Sequence, residues 1–174
     1  GIQLLTADNS SKPQINKYVT TVGQKTDNVA FDQEITWIVI SDVPSDMGAR
    51  YTEYKIADTM DAELDFVDGS ISVSVSRDGA NYTPYTTGFT APQSVSGTTF
   101  DVVFTDRAAL AGVKKIKVEY QTTLNKEKTV MDDFIVNKVR LDYETDVTVD
   151  SDLEENPPKV YTGGFKFVKV STDD

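Results

Sequence analysis

The chain has 174 residues, with 17 Lys plus Arg against 28 Asp plus Glu, a formal net charge of −11, and neither His nor Cys. The absence of His and Cys excludes serine–histidine and cysteine–histidine hydrolases, His-ligated zinc sites, iron–sulfur clusters and disulfides. The negative charge disfavours nucleic acid as a partner, and no apolar run approaches the roughly 18 residues of a membrane span. We expect a soluble, acidic, non-enzymatic domain with no cofactor and no metal.

Alternating apolar residues predict an all-β fold. Val, Ile, Thr, Tyr and Phe are frequent, and turn-forming clusters recur about every 8–15 residues, as in a sandwich or barrel. The predicted strands cover residues 34–40, 70–76, 98–104, 116–124 and 134–143, and a turn at 77–79 leads into a short strand at 82–86. One short helix is predicted at 105–112, from its Thr or Asp cap, Ala-rich turn and terminal Gly.

The two ends of the chain differ from the middle. Residues 1–12 are interpreted as a tail or the remnant of a preceding domain, and residues 13–145 as the β-sandwich. Residues 146–164 are acidic, contain Pro and Gly, and lack periodicity, so they predict a linker. A carboxylate-rich calcium loop is the alternative there, although the glycine and ligand spacing of an EF-hand are missing. Residues 165–174 predict the first strand of a truncated following domain.

Three polar residues occupy positions where the strand pattern favours apolar side chains. Residues two apart in a strand point the same way. Lys17, Asp58 and Asn137 each have apolar neighbours two positions away on both sides, so all three are predicted to face the interior. Buried charges cost several kcal/mol unless they are paired, and a buried amide needs partners. The three groups therefore require a common explanation.

Two explanations fit this pattern. In the first, Lys17 and Asp58 form a buried ion pair that is hydrogen-bonded to Asn137 and fixes the strand order. In the second, the Lys amine attacks the Asn side-chain carbonyl, releases ammonia and leaves an isopeptide bond. Burial favours the neutral forms of both Lys and Asp, so the amine becomes a nucleophile and the carboxyl can polarise the amide and carry protons. Contact between the groups supplies a large effective molarity.

Several stretches of the chain carry a family resemblance. They are PQINKYV at 13–19, DVPS at 42–45, YTEYKIADTM at 51–60, KVEYQTTLNKE at 117–127 and NKVRLDY at 137–143. In order and spacing they resemble the fimbrial isopeptide-forming domain of Gram-positive, sortase-assembled backbone pilins. The resemblance implies an immunoglobulin-like (CnaA-type) β-sandwich with Greek-key connections. It also implies a Lys17–Asn137 cross-link with Asp58 as the proton shuttle, and it makes Lys169 the unreacted amine of the next domain.

The same resemblance carries expectations about biology. It implies a structural module of a secreted, cell-wall-attached pilus or fimbria, joined to other pilin subunits by a sortase, that resists force and proteases and supports cell adhesion. An isolated domain would be a monomer. The family's Tyr-Pro-Lys-Asn pilin motif and its Leu-Pro-any-Thr-Gly sorting signal do not occur in the sequence, so no sortase acceptor lysine is identified.

The sequence is also compatible with two other function classes. The chain could be an adhesin module that binds a host matrix protein or glycan through the aromatic loop at 82–89, which includes Tyr82 and Tyr85. It could also be an accessory domain of a carbohydrate-active enzyme, or an acid-pair glycosidase, but no pair of carboxylates is singled out by its spacing.

Overall fold

The computed structural model describes residues 12–163, and in this part of the chain almost all regular structure is β-strand. The strands are β1 (Ile15–Val19), β2 (Thr26–Asn28), β3 (Ile35–Asp42), β4 (Tyr51–Thr59), β5 (Leu64–Phe66), β6 (Ser72–Ser76), β7 (Thr83–Pro84), β8 (Phe89–Thr90), β9 (Thr99–Phe104), β10 (Lys115–Leu124), β11 (Phe134–Val136), β12 (Lys138–Thr145), β13 (Val149–Leu153) and β14 (Lys159–Tyr161). The prediction of an all-β fold is confirmed.

Two antiparallel sheets form the sandwich. The first has the order β1-β3-β10-β6-β7, with β5 also paired to β10, and the second has the order β13-β12-β4-β9-β8. Strand β10 shows why these residues form strands, because every second side chain along it is buried, as expected for one face turned to a core. Apolar residues from both sheets join in one core cluster. Chain neighbours such as β3 and β4 lie in different sheets, consistent with the predicted Greek-key connections.

A third, small sheet has the order β11-β14-β2, with β14 parallel to β2 and antiparallel to β11. This small sheet matters for the site because it takes up one half of the strand predicted at 134–143, which Asn137 divides in two. The part before Asn137 pairs in the small sheet, and the part after it pairs with β4 and β13 in the second large sheet. Asn137 therefore lies where the chain passes from one sheet to another.

The acidic segment interpreted as a linker differs from the prediction. It contributes β13, which pairs with β12, and β14, which pairs with β11 and β2. The sequence pattern of β13 explains why this strand was not predicted. Its exposed positions carry Val149 and Leu153, and its more buried positions carry Asp150 and Asp152. A sequence pattern that assigns apolar residues to the interior cannot find such a strand.

The helical content is smaller than predicted at 105–112, where the structure has one turn of 3-10 helix at Ala108–Leu110. A second turn, α1 (Met47–Arg50), was not predicted. The two turns pack together so closely that a Cβ added at Gly48 would lie 2.9 Å from the Ala108 Cα. None of the helices among residues 12–163 is long and apolar enough to cross a membrane.

Predictions for residues 1–11 and for 165–174, including the strand at 165–170 and Lys169, lie outside the described residues.

Candidate functional site

The three polar residues singled out in the sequence meet inside the sandwich. Lys17 lies at the centre of β1, the edge strand of the first sheet, opposite Val39 of β3. Asp58 lies on β4 of the second sheet, opposite Val139 of β12, and Asn137 lies at the break between β11 and β12. At most 2% of each of the three residues is exposed. The prediction that all three face the interior agrees with their burial.

The Lys17 amine contacts both of its predicted partners. Lys17 Nζ donates to Asn137 Oδ1 at 2.6 Å and to Asp58 Oδ2 at 2.6 Å, and it also reaches the Lys138 carbonyl at 3.2 Å. An ammonium group can only donate, which sets the orientation of the Asn137 amide with its oxygen toward Lys17. The arrangement therefore places the nucleophilic amine in contact with both a proton acceptor and an amide carbonyl.

Tyr120 completes the cluster, and no role was predicted for it from the sequence. Its hydroxyl donates to Asp58 Oδ1 at 2.8 Å, and it accepts from Asn137 Nδ2 at 2.7 Å and from Lys17 Nζ at 2.9 Å. One signal was available in the sequence: Tyr120 falls on the inward face of the strand predicted at 116–124, where a buried tyrosine hydroxyl needs a polar partner.

The Asp58 carboxylate contacts Lys17 and Tyr120, and among residues 12–163 no hydrogen bond joins it to Asn137. Asp58 is thus placed to remove a proton from Lys17. It makes no hydrogen bond through which it could polarise the Asn137 carbonyl, as the sequence had led us to expect.

Burial determines the electrostatics of the pair. It lowers the pKa of the Lys17 amine to about 8, against the opposing effect of the Asp58 charge and hydrogen bond. It also raises the pKa of the Asp58 carboxyl, against the opposing effects of Lys17 and the Tyr120 hydrogen bond. Both shifts favour neutral forms, because each charged form has lost its water. Burial thus moves the pair toward an uncharged, nucleophilic amine beside a protonated acid, and a pKa of about 8 makes the neutral amine far more accessible near neutral pH than that of an exposed lysine.

Aromatic rings surround the amine. Lys17 Nζ lies 5.1 Å from the centre of the Tyr120 ring and 5.8 Å from that of Trp37. Phe100 meets the Tyr120 ring edge-on at 5.0 Å, and Trp37 and Tyr120 face each other across β3 and β10. These rings keep the cluster dry and hold the Tyr120 ring in one place.

Glu154 and Lys25 bind the backbone of Lys17 at the outer edge of β1. The Lys17 backbone N–H donates to Glu154 Oε2 at 3.0 Å. The Lys25 amine donates to the same carboxylate at 3.0 Å and to the Lys17 carbonyl at 2.7 Å. Glu154 is 7% exposed. Sequence reasoning missed it because it lies in the segment interpreted as a linker.

The aromatic loop considered as an adhesin surface is mostly occupied by contacts within the chain. Tyr85 stacks on Phe89 at 6.0 Å between ring centres, and Lys117 Nζ lies 4.3 Å from the centre of the Tyr82 ring. Both tyrosines are half-buried. In the part of the chain that the structure describes, no group of three or more acidic side chains has an arrangement that could hold a metal ion.

Comparisons based on sequence alone give no relatives. A scan against protein-family models finds no match, and a search of curated proteins finds none.

Solved structures do resemble this chain. BcpA, the major pilin subunit of Bacillus cereus, matches 87% of the chain with a TM-score of 0.73 at 16% identity. A C-terminal fragment of the major pilin GBS80 of Streptococcus agalactiae matches 87% with a TM-score of 0.71 at 18% identity. The collagen-binding domain of the Erysipelothrix rhusiopathiae surface protein RspB matches 86% with a TM-score of 0.57 at 18% identity.

These likenesses concern the fold. The chain spans 40% of the BcpA chain, 56% of the GBS80 fragment and 46% of the RspB chain. The predicted resemblance to major pilins is confirmed at this level: the structural neighbours include major pilin subunits, and the chain has a β-sandwich fold that matches their domains.

Proposed function

We propose that this domain is a structural module of a cell-wall-anchored surface pilus, cross-linked by an isopeptide bond that Lys17 and Asn137 form without a separate enzyme. The observation that carries the proposal is the 2.6 Å contact of Lys17 Nζ with both Asn137 Oδ1 and Asp58 Oδ2 in a buried site. The pilin fold of the structural neighbours supports the same reading.

The chemistry needs an acceptor for one proton before the amine can react. Asp58 takes that proton from the Lys17 ammonium, and the neutral amine then attacks the Asn137 side-chain carbon. The new C–N bond replaces the bond to the amide nitrogen, which leaves as ammonia. The groups are already in contact, so the reaction does not depend on a chance encounter. The domain reacts once with itself and is not an enzyme with turnover.

The cross-link would replace disulfides, for which this chain has no cysteine. Lys17 and Asn137 are 120 residues apart, and closing a loop of that length restricts the unfolded chain by about 5 kcal/mol, if disulfide scaling applies. An extracellular shaft exposed to shear and proteases benefits from such a restraint. Within the pilus, the partners would be further pilin subunits joined by a sortase.

The pairing of β13 and β14 changes the proposed domain boundary. We place the end of the cross-linked domain at about residue 162 instead of 145, because both strands pair with the rest of the fold. Lys169 keeps its proposed role as an unreacted amine of a following domain.

The intact mass of the purified chain tests the proposal. We expect a mass lower than the calculated one by one ammonia, and we expect the calculated mass for the Asp58→Ala and Asn137→Ala variants. Asp101→Ala, an exposed aspartate on the neighbouring strand β9, serves as the control and should show the same deficit as the unmodified sequence. A full calculated mass for the unmodified chain would mean that the cluster is only a buried ion pair.

A second candidate function is an adhesin module, favoured by the collagen-binding domain of RspB among the structural neighbours. The 82–89 loop would then be the contact surface. Binding of the chain to immobilised collagen, lost in Tyr82→Ala or Tyr85→Ala, would support it; equal binding by these variants, or no binding at all, would exclude this loop as a collagen site.

A further inference from the structure

We propose that Tyr120 is a catalytic residue of the cross-linking reaction, whose hydroxyl passes a proton from the attacking nitrogen of Lys17 to the leaving nitrogen of Asn137. The inference rests on the proposed function and adds a residue with a definite role to it. Tyr120 lies on β10, in the opposite sheet from Asp58, so the reacting groups come from both halves of the sandwich.

Proton balance creates the need for such a residue. When the neutral Lys17 amine bonds to the Asn137 side-chain carbon, the attacking nitrogen carries two hydrogens and a positive charge. The final amide keeps only one of these hydrogens. The leaving nitrogen carries two hydrogens and must gain a third to depart as ammonia. One proton therefore has to move from Nζ to Nδ2, in addition to the proton that Asp58 has already taken.

The hydrogen bonds around the site show which group can move this proton. Tyr120 Oη lies 2.9 Å from Lys17 Nζ and 2.7 Å from Asn137 Nδ2. Among residues 12–163 it is the only oxygen hydrogen-bonded to both nitrogens. In the described part of the chain the Asp58 side chain is hydrogen-bonded to Lys17 and Tyr120 but not to Asn137. The Lys138 carbonyl contacts Lys17, but a carbonyl has no proton to pass on.

The steps balance as follows. Asp58 Oδ2 first takes a proton from the Lys17 ammonium. Nζ bonds to the Asn137 side-chain carbon, and the electron pair of the C=O bond moves to Oδ1. The Tyr120 hydroxyl, which donates to Asp58 Oδ1 before the reaction, then turns to Nδ2 and passes its proton there while Oη accepts a proton from Nζ. The electron pair on Oδ1 reforms the C=O bond and ammonia leaves. Tyr120 ends as it began, and Asp58 ends protonated beside a neutral amide, with no charge left in the core.

The ring of Tyr120 is held independently of its hydroxyl. Phe100 lies edge-on to it at 5.0 Å, and Phe66 lies at 6.0 Å. A Tyr120→Phe substitution removes the oxygen and keeps these ring contacts, so it tests the proton transfer with little change in packing.

The test is a time course of bond formation in freshly made chain. The protein is synthesised in a cell-free system, samples are stopped in acidic urea, and the fraction that has lost one ammonia is read from the intact mass. We expect Tyr120→Phe to react about a hundredfold more slowly than the unmodified chain, within the range usual for general acid–base groups. The matched control is Tyr54→Phe, which also removes a fully buried hydroxyl, one that donates to the Asp42 carbonyl away from the cluster.

The outcomes separate this inference from the function on which it rests. If the unmodified chain keeps its calculated mass, the cross-link itself is disproved. If the unmodified chain and Tyr120→Phe react equally fast, the cross-link stands and the role of Tyr120 is disproved. If Tyr54→Phe slows the reaction as much as Tyr120→Phe, the effect comes from losing any buried hydroxyl, and the relay is again disproved.

A second measurement decides the matter if Tyr120→Phe does not fold. The rate for the unmodified chain is measured in mixtures of light and heavy water. Two protons move in the relay, so we expect the rate to fall along a curve as the deuterium fraction rises. A straight-line dependence or an unchanged rate would overturn the relay.

Discussion

Lys17 is a buried amine whose partners are themselves buried, and this makes the unreacted cluster costly. Its strongest contacts are the Asp58 carboxylate and the Asn137 amide, and taking two charges out of water costs several kcal/mol per ion. The proposed reaction converts the amine to an amide and leaves Asp58 as a neutral acid. At the scale of single residues, bond formation removes the very charges that the fold has to bury.

The titration of Lys17 gives a prediction for a chain that cannot react. In the unmodified fold burial lowers the pKa of the Lys17 amine from 10.5 to about 8, and the opposing effect comes from Asp58 and not from Asn137. We therefore expect the same lowered pKa in Asn137→Ala, in which the amine stays free. Between these pH values the unfolded chain binds more protons, so the free energy of unfolding rises with pH, by about 3 kcal/mol over the whole window. Below pH 8 both states hold the proton and this contribution is constant.

Urea unfolding at several pH values measures this effect, and a double variant isolates it. In Asn137→Ala with Lys17→Met no amine titrates at this position, whereas all surface groups are unchanged. The difference in the free energy of unfolding between the two variants should therefore change between pH 8 and 10.5. A constant difference across this window would mean that burial does not lower the pKa of Lys17.

At the scale of elements, the outer edge of β1 is covered by carboxylates instead of a neighbouring strand. The Ile15 N–H donates to Asp152 Oδ2 at 3.2 Å and the Lys17 N–H donates to Glu154 Oε2 at 3.0 Å. Asp152 belongs to β13 of the second sheet and Glu154 directly follows it, so these bonds tie the two sheets together. They also satisfy backbone donors that an open edge would offer to another chain.

Removing Glu154 should loosen this edge. In the non-reacting Asn137→Ala chain we expect Glu154→Ala to lower the free energy of unfolding by about 2 kcal/mol, because a buried backbone N–H and Lys25 both lose a charged partner. Glu155→Ala, at the exposed neighbouring position, should change it by less than about 0.5 kcal/mol. Urea unfolding compares the two, and equal effects would contradict a special role for the Glu154 carboxylate.

The limits of the sequence prediction follow from the same elements. The strands at 34–40, 98–104 and 116–124 were predictable because apolar residues alternate along them, and the inward direction of Lys17 followed from its apolar neighbours. Strand β13 was not predictable, since its inward positions carry Asp150 and Asp152. Glu154 was missed for the same reason. The role of Tyr120 depends on distances between two sheets, which alternation along one strand does not contain.

At the scale of the whole molecule, the proposed bond sets the path that tension takes. Force entering before β1 would pass from Lys17 directly to Asn137 and leave through β12, β13 and β14. The two ends of the bond are 120 positions apart, and the chain between them, which includes β3, β4 and β10, would carry no load. Most of the core would therefore stay folded under tension.

Single-molecule stretching from both ends measures this protection. We expect Lys17→Ala to lengthen on unfolding by on the order of 400 Å more than the unmodified chain, since each released residue adds about 3.4 Å. Lys55→Ala, which removes a partly exposed lysine on β4, should lengthen like the unmodified chain. Equal lengthening of the unmodified chain and Lys17→Ala would contradict a covalent link.

The parallel pairing of β14 with β2 also bears on how the domain is made. A growing chain emerges from the ribosome N-terminus first, so β2 emerges well before its partner β14, which is the last strand described. Until residue 161 is out, β2 and β11 both lack their shared neighbour. Lys17, Asp58, Tyr120 and Asn137 have by then all emerged, so completion of the third sheet, and not the supply of reacting groups, sets the moment at which a nascent chain becomes a finished domain.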